Sequence, residues 1–250
     1  EHDFESTEGS AEYMHWLDGS KNQSLSAGLS FQSNEIKVKC KLNTKCDASS
    51  GASQELEAYV INAQLSFSQN INENSYAKIS LFSVTENGYL TNPYYNVVRN
   101  NNGITADIVG ESRPDTRQGY GASIKYANAL TSNTTMHLSY RFYDDNWNIT
   151  SNTIDSDFYY ELHNDWVFNL GLRVYAQSEA SFYNKGDTYF TNETYASSDQ
   201  RLSKFRSLTY KSNIDYTVSD EWSLNVSLNY YDQTTGLSAT YFMTGFRYNF

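Results

Sequence analysis

Four charged residues on three consecutive segments of alternating polarity are the strongest candidates for a functional site. Arg141 belongs to the first segment, Asp155 and Asp157 to the second, and Arg173 to the third. If these segments are adjacent strands joined by regular turns, the four side chains share one face and form an Arg–Asp–Arg ladder. Charged hydrogen bonds of this kind are stronger away from bulk water than on an open surface. The spacing therefore predicts a charged ladder inside a partly enclosed sheet.

The interior that holds this ladder has two interpretations. Other charged residues of the same polar phase are Lys125, Lys211, Asp215 and Arg247. A barrel of about eight strands has an interior that its own side chains can fill, and two more strands add little room, so the ladder could be a structural plug. Alternatively, it lines a narrow polar conduit or a pocket. A wide channel is not expected, because such channels need about 16 strands.

Catalytic chemistry is not expected from this sequence. His137 is the one histidine that projects inward, and Ser139 follows two residues later. Positions i and i+2 of a strand stand about 7 Å apart, which is too far for the hydrogen bond of a nucleophilic Ser–His pair. No set of His, Cys and carboxylate residues has metal-ligand spacing, and no haem-attachment or thioredoxin-like cysteine motif occurs. We therefore expect no enzyme activity, no metal and no cofactor.

Ten segments of alternating polarity must position the ladder. In the clearest one, Trp166, Phe168, Leu170, Leu172 and Val174 share a phase. The segments lie near residues 25–31, 59–67, 77–81, 120–126, 136–142, 154–162, 166–174, 208–216, 222–230 and 240–250. Short alternating strands span a bilayer only as a closed barrel, in which every backbone N–H and C=O is paired. The pattern predicts an all-β fold, a transmembrane antiparallel β-barrel of about ten strands. Twelve is the alternative, if residues 36–42 form an eleventh strand that pairs with a further strand within residues 43–57.

Composition supports a barrel but leaves a secreted β-sandwich or lectin-like domain open. Among the 250 residues, 22 are Tyr, 13 are Phe and only two are Pro, which suits a pleated surface that is apolar on one face. No run approaches the roughly 20 apolar residues of a transmembrane helix. Short and long connections alternate along the chain, and Phe250 ends an alternating strand, as in outer-membrane barrels. The net charge of −11 argues against a nucleic-acid partner.

The two ends and the cysteines complete the predicted organisation. Residues 1–21 are acidic and irregular, so we expect a periplasmic tail or short plug, followed by the barrel at residues 22–250. With short turns in the periplasm and long loops outside, both termini are expected to be periplasmic. The sequence begins Glu1-His2-Asp3, so we expect it to be the mature form of the protein. Cys40 and Cys46 are expected to form a disulfide in an oxidising envelope.

Five ordered blocks between residues 88 and 205 carry a further signal. They read GYLTNPY from Gly88, RPDTR from Arg113, YRFYDDNW from Tyr140, RVYAQSEASFY from Arg173 and SDQRLSKF from Ser198. Together they resemble a family of proteobacterial outer-membrane proteins known only as a domain of unknown function. The resemblance implies an outer-membrane barrel and supplies no activity. The genes of that family often lie beside those of a small lipoprotein, a thioredoxin-like protein and a flavin-attaching transferase.

The blocks fall at one rim of the expected barrel. Seven of their residues lie in the longest outer loop: Asn92, Pro93, Tyr94, Arg113, Pro114, Asp115 and Arg117. Loops on a rigid scaffold often bind partners, although these residues could instead fold the loops into a lid.

Our first functional hypothesis is a barrel in the outer membrane of a Gram-negative bacterium that anchors or scaffolds an envelope complex, its lumen largely filled by polar side chains. The alternative is a narrow channel, a small porin, for small solutes or ions. The expected partners are outer-membrane lipid and lipopolysaccharide, together with an envelope lipoprotein or periplasmic protein.

Overall fold

The computed structural model describes residues 4–39, 53–100, 106–163, 165–184 and 193–249. Within these ranges the secondary structure is thirteen strands and one 3-10 turn at Gln200–Leu202. The strands are β1 (Phe4–Trp16), β2 (Gln23–Lys39), β3 (Ser53–Asn72), β4 (Ser75–Gly88), β5 (Asn96–Arg99), β6 (Asp107–Gly110), β7 (Thr116–Thr131), β8 (Thr134–Asp145), β9 (Thr150–Leu162), β10 (Trp166–Gln177), β11 (Phe205–Thr217), β12 (Trp222–Gln233) and β13 (Ser238–Tyr248). Over the same ranges, no helix has the length and apolar character to cross a membrane.

Eleven of the strands form one antiparallel sheet in chain order, from β1 to β4 and then from β7 to β13. The short hairpin of β5 and β6 forms a separate two-stranded sheet inside the connection between β4 and β7. Side chains from β3 to β13 line a single cavity, so the large sheet curves around it. Its edges are β1 and β13, and no backbone pairing joins them among the described residues. The predicted all-β antiparallel architecture is confirmed.

The large sheet carries its apolar side chains on the outside. Leu170 is 64% exposed and Phe242 is 66% exposed, and the apolar residues of neighbouring strands share this outer face. The inner face is polar: the hydroxyls of Ser66 and Ser80 lie 2.9 Å apart, and the Asn225 amide donates to the Asn213 side chain at 2.7 Å. In water this distribution would be unfavourable. It is the arrangement of a transmembrane barrel, whose outer band faces lipid.

Aromatic rings cluster at one end of this outer face. Trp166 stacks on Tyr216 with ring centroids 4.2 Å apart, and Trp222 packs against Tyr248 at 4.7 Å. Both tryptophans open strands just after short turns. Amphipathic rings at this level are typical of the aromatic girdle at a membrane–water interface.

The hairpins divide the barrel into two rims. The turn rim holds the connections 17–22, 73–74, 132–133, 163–165 and 218–221. The loop rim holds the end of β2, the start of β3, the connections 146–149 and 234–237, and the described parts of the connections 89–115 and 178–204. At the loop rim, the described parts of 89–115 and 178–204 pack together with 146–149 into a layer that we call the loop cap. Its apolar core contains Trp147, Ile149, Ala180, Phe182 and Leu202.

The strand count differs from the ten predicted. The ten expected segments correspond to β2–β4 and β7–β13, but Phe4–Trp16 forms a further strand instead of a tail, in register with β2 from Phe4–Ile36 to Trp16–Ser24. Backbone hydrogen bonds hold β1 in place, so it needs no apolar alternation, and all of its side chains are exposed.

This extra strand changes the position of the chain ends. Because eleven is an odd number, Phe4 begins β1 at the loop rim, whereas Tyr248 ends β13 at the turn rim opposite Trp222. The expectation that both ends lie on one side is therefore wrong for the described ends, residues 4 and 249.

The hairpin of β2 and β3 also differs from the alternative with twelve strands. Residues 36–39 continue β2 and pair with the start of β3, and Lys37 lies 3.5 Å from Glu55 across the pair. This ion pair gives Lys37 a partner of opposite charge on the neighbouring strand. Cys40 and Cys46 lie outside the described residues, so their disulfide stays a prediction.

Candidate functional site

A cavity of about 1300 Å³ lies inside the curved sheet. Alternate residues of each strand face the same side, so one phase of β4 and β7–β11 supplies most of its wall. The charged residues of the lining are Lys78, Lys125, Arg141, Asp155, Asp157, Arg173, Arg201 and Lys211. The expectation of a lumen largely filled by side chains is wrong for this region. Eleven strands enclose more room than the roughly eight whose side chains fill a barrel.

Two aspartates and two basic residues form the charged ladder of the cavity. Arg173 lies directly opposite Asp155 on the neighbouring strand, and its Nε donates to Asp155 Oδ1 at 2.8 Å. Lys211 reaches both carboxylates, with Nζ 3.3 Å from Asp155 Oδ1 and 2.7 Å from Asp157 Oδ1. The ladder thus crosses β9, β10 and β11, and each of its acids has a basic partner.

Gly171 allows the ion pair between Asp157 and Lys211 to form across β10. It stands between Asp157 on β9 and Lys211 on β11 in the strand register. A Cβ at this position would collide with the Asp157 carboxylate and would lie 2.6 Å from Lys211 Cε. The missing side chain lets the ammonium group of Lys211 cross β10 and reach the carboxylate.

Arg141 does not join the ladder, contrary to the sequence-based expectation. Ser139 lies opposite Asp155, and Arg141 lies opposite Thr153. The turn at 146–149 sets this register, because Asp145 Oδ1 accepts hydrogen bonds from the backbone N–H groups of Trp147 and Ile149. The guanidinium of Arg141 instead lies over the ring of Phe82, 4.0 Å from its centroid.

Lys78, Lys125 and Arg141 form a second charged group in the cavity, which we call the cationic patch. Lys78 and Lys125 lie directly opposite each other on β4 and β7. Arg141 on β8 lies opposite Ser123, two residues from Lys125. In the described ranges, no carboxylate lies within 4.0 Å of these three basic groups.

The remaining inward candidates show no catalytic arrangement. The His137 ring packs against Tyr159 with centroids 4.9 Å apart. Residues 4–39, 53–100, 106–163, 165–184 and 193–249 hold no group of three His, Cys, Asp or Glu side chains able to bind a metal.

A buried ion network holds the loop cap together. Arg113 lies between two acids, with its Nε 2.6 Å from Glu111 Oε1 and its Nη2 2.7 Å from Asp199 Oδ2. Glu111 is 0% exposed and Asp199 is 1% exposed. Ser197 donates to the other oxygen of Glu111, and Arg201 Nη2 lies 2.6 Å from Asp199. The network therefore joins the connection 89–115 to the connection 178–204.

The pKa of Asp199 reflects these contacts. Burial acts to raise the pKa of this carboxyl group, but hydrogen bonds from Arg201 and Arg113 act in the other direction and outweigh it. The pKa of Asp199 consequently lies below its ordinary value, and the group is charged at neutral pH.

A second ion pair fixes the base of the loop cap. Arg117 Nη2 lies 2.7 Å from Asp145 Oδ2, and its guanidinium lies over the Trp147 ring, 4.8 Å from the centroid. Tyr143 also donates to Asp145 Oδ2 at 2.9 Å. The same carboxylate thus binds the base of the cap and shapes the turn that sets the β8–β9 register.

The predicted loop motif is mostly structural in its contacts. The backbone N–H of Asn92 donates to Glu111 at 2.8 Å, and its side chain accepts from the Tyr94 N–H at 3.0 Å, around the bend at Pro93. The Asp115 carbonyl accepts from Gly88 at 2.9 Å. Pro114 borders a small surface cleft. Together with Arg113 and Arg117, these residues build the cap.

Two residues connect the cap to the cavity. The Gln177 amide on β10 donates to the carbonyls of Arg201 and Ser203 at 2.9 and 2.7 Å. Arg201 lines the cavity and also pairs with Asp199 in the buried network. The position of the cap is therefore coupled to the wall of the lumen.

Sequence reasoning missed four residues that these sites require. Asp145 and Asp199 lie inside the recognised blocks, but no signal marked them as buried partners. Glu111 stands just before the RPDTR block, and Lys211 was expected only to face the interior. Because Arg113 and Asp199 are 86 residues apart, no local spacing could have paired them.

A family model described as "Protein of unknown function (DUF3570)" matches residues 1–246. No curated protein matches the chain. Among solved structures, the chain resembles the toluene transporter TodX of Pseudomonas putida, with 12% identity and a TM-score of 0.55 over 99% of this chain and 77% of TodX.

Two further structures show the same likeness. A TodX deltaS2S3 mutant has 12% identity and a TM-score of 0.57, over 98% of this chain and 74% of the mutant. The CymD monoaromatic hydrocarbon channel has 9% identity and a TM-score of 0.51, over 95% of this chain and 72% of CymD. At this identity the likeness shows the fold, and the predicted barrel class and the predicted family are both confirmed.

Proposed function

This chain belongs to the DUF3570 family of proteins of unknown function, and since that family supplies no activity, we propose from the geometry that it is an outer-membrane channel for small polar solutes. The observation that carries the proposal is the cavity of about 1300 Å³ between the strands. Ligand-sized pockets have volumes of roughly 300 to 1000 Å³, so the cavity can hold a small solute with its water. The apolar outer face supports a position of this cavity within the bilayer.

The polar lining favours polar solutes over hydrocarbons. TodX is described as a toluene transporter and CymD as a monoaromatic hydrocarbon channel. In this chain, eight charged side chains border the cavity. Removing water from charged groups is unfavourable unless the solute replaces its hydrogen bonds, which a hydrocarbon cannot do. The fold is shared with these channels, but the lining supports a different solute.

The proposed orientation follows from the two rims. Short turns of outer-membrane barrels face the periplasm and longer loops face the exterior. We therefore assign the turn rim and the end of β13 to the periplasm. The loop cap and the start of β1 then lie outside the cell, so the cap borders the outer entrance of the lumen.

The anchor hypothesis stays a prediction. It depends on the sequence resemblance, and no contact among the described residues supports it over a channel. Co-purification of a stoichiometric lipoprotein or periplasmic partner with the intact protein would favour it. The expected binding of lipopolysaccharide is likewise a prediction.

Conductance of the purified protein in a planar lipid bilayer tests the channel. We expect discrete current steps in KCl solution, smaller than those of barrels with 16 strands, because the lumen is narrower. Folding of the inserted protein is checked independently by its strand content. A folded, inserted protein that stays electrically silent over the full voltage range contradicts the proposal.

A further inference from the structure

The charges that line the cavity are unbalanced. Six basic side chains and two acidic ones border it, and since Arg201 pairs with the buried Asp199, three positive charges remain in excess. The chain as a whole has a net charge of −11. The positive lining is therefore a local property of the lumen and runs against the overall composition.

The ladder uses both acids of the lining. Arg173 and Lys211 contact Asp155 and Asp157 at 2.7 to 3.3 Å. On the neighbouring strands β4, β7 and β8, the cationic patch of Lys78, Lys125 and Arg141 has no carboxylate within 4.0 Å among the described residues. The cavity thus has one neutralised wall and one positive wall.

The two lysines of the cationic patch repel each other when no anion lies between them. Like charges directly opposite each other on neighbouring strands are destabilising, and Lys78 and Lys125 occupy such a pair. An anion between them would replace this repulsion by attraction. Hydroxyl groups of Ser80, Ser123 and Ser139 border the same part of the cavity and can donate to its oxygens.

Arg141 adds directional recognition to the patch. Its guanidinium lies over the Phe82 ring at 4.0 Å from the centroid, and it borders the cavity. A ring at this distance holds the guanidinium in place. The planar group can then donate two parallel hydrogen bonds to a carboxylate or phosphate, which a lysine cannot do.

We infer that the channel is selective for small oxyanionic solutes, which bind at the cationic patch of Lys78, Lys125 and Arg141 on their way through the lumen. This inference rests on the proposed channel function and names its substrate class. Like charges that line a low-dielectric cleft concentrate counter-ions there, so the patch both attracts anions and excludes cations. Carboxylates and phosphates share the chemistry that the patch recognises.

The reversal potential of the purified protein in a tenfold KCl gradient tests this inference. We expect the sign of the reversal potential to show that chloride permeates faster than potassium. The double variant Lys78→Gln and Lys125→Gln should lower the chloride-to-potassium permeability ratio by roughly threefold or more, because it removes two of the three excess charges. The control Lys37→Gln removes a lysine of the outer face that pairs with Glu55, and it should leave the ratio unchanged.

Blocking measurements identify the class of anion. Citrate and inorganic phosphate, added separately, should each reduce the chloride current of the wild type and have a weaker effect on Arg141→Gln. Block by one anion alone assigns the patch to that chemistry and supports the inference. An open channel that prefers potassium, or whose preference survives the double variant, overturns the inference but leaves the channel intact. A folded but silent protein overturns the channel proposal and the inference with it.

Discussion

The loop cap and the lumen both hold charged networks, but they differ in their access to water. In the cap, Glu111 is 0% exposed and lies 2.6 Å from Arg113. In the lumen, the side chain of Arg173 is 53% exposed although it lies 2.8 Å from Asp155. Distances alone would suggest equivalent ion pairs. The two networks differ in burial. The buried network of the cap holds two loops together, whereas the exposed ladder of the lumen faces passing solute.

The difference has a physical cause in each region. Buried charges must find partners, because an unpaired charge away from water is very unfavourable. In the cap, Glu111 and Asp199 each lie next to Arg113, so these buried charges contribute rigidity and are not available to a ligand. Charges in a wet lumen need no such pairing, so the cationic patch can persist without a carboxylate. The same residue types therefore have structural roles at the rim and recognition roles in the lumen.

The largest expected effect is the loss of the cap network. Arg113→Ala leaves Glu111 and Asp199 buried without their shared partner, and breaking a buried pair in this way costs about 3–5 kcal/mol. We expect faster hydrogen exchange in residues 106–115 and 193–203, with the strands still protected. Lys204→Ala, an exposed position of the same cap, is the control and should leave exchange unchanged. Equal hydrogen exchange in the two variants would contradict the structural role of the cap network, and with it the difference between the cap and the lumen.

A second substitution tests the ladder in the lumen. Gly171→Ala places a methyl group against the ends of the Asp157 and Lys211 side chains, which must move apart, and the loss of a hydrogen bond between charged groups costs about 1–3 kcal/mol. We expect a lower free energy of unfolding in urea and an altered conductance. Gly245→Ala is the matched control, since a Cβ there meets nothing within 4 Å. Identical unfolding curves for the two variants would show that the ladder does not pass over β10.

A smaller effect is expected when the exposed ion pair of the lumen is broken. Arg173→Ala should lower the free energy of unfolding by about 1 kcal/mol or less, because solvent-exposed ion pairs contribute little. Urea unfolding measures the change, alongside Arg113→Ala. A loss as large as that of the cap variant would mean that the lumen is drier than its exposed side chains indicate.

The smallest expected effect is the loss of stability of the cap at low pH. Asp199 has a lower pKa in the folded protein than its ordinary value of 3.8, so the unfolded chain binds more protons as the pH falls. The stability that this group contributes is fully present above about pH 3.8 and is lost as the pH falls through the folded-state pKa. Hydrogen exchange of residues 193–203, corrected for intrinsic rates, should lose protection only below that range. Loss of protection between pH 7 and 5 would contradict this assignment.

The strands were predictable because lipid and water impose a period of two on side chains. All ten alternating segments became strands of the large sheet. The sequence did not predict β1, because its polarity does not alternate: Phe4, Met14 and Trp16 have the same phase as Glu8 and Glu12. Backbone pairing with β2 holds it, and backbone hydrogen bonds leave no pattern in the sequence.

The candidate site was predictable only in part, because its contacts depend on register. The pairing of Arg173 with Asp155 followed from a tight turn at 163–165. The expected contact of Arg141 failed because the turn held by Asp145 places Ser139 opposite Asp155. The cap network joins connections far apart in the chain, and the recognised blocks marked its place but not its pairs.

Thiol labelling in lipid vesicles tests the central claim that a polar, water-filled lumen is enclosed by an apolar outer face. Ser123 borders the cavity, and the adjacent Ile124 is exposed on the outside. In a background with Cys40→Ser and Cys46→Ser, we predict that Ser123→Cys reacts with a charged, water-soluble thiol reagent. Ile124→Cys should stay unreacted, because lipid excludes both the reagent and the thiolate. Faster labelling at position 124 than at position 123 would contradict the account.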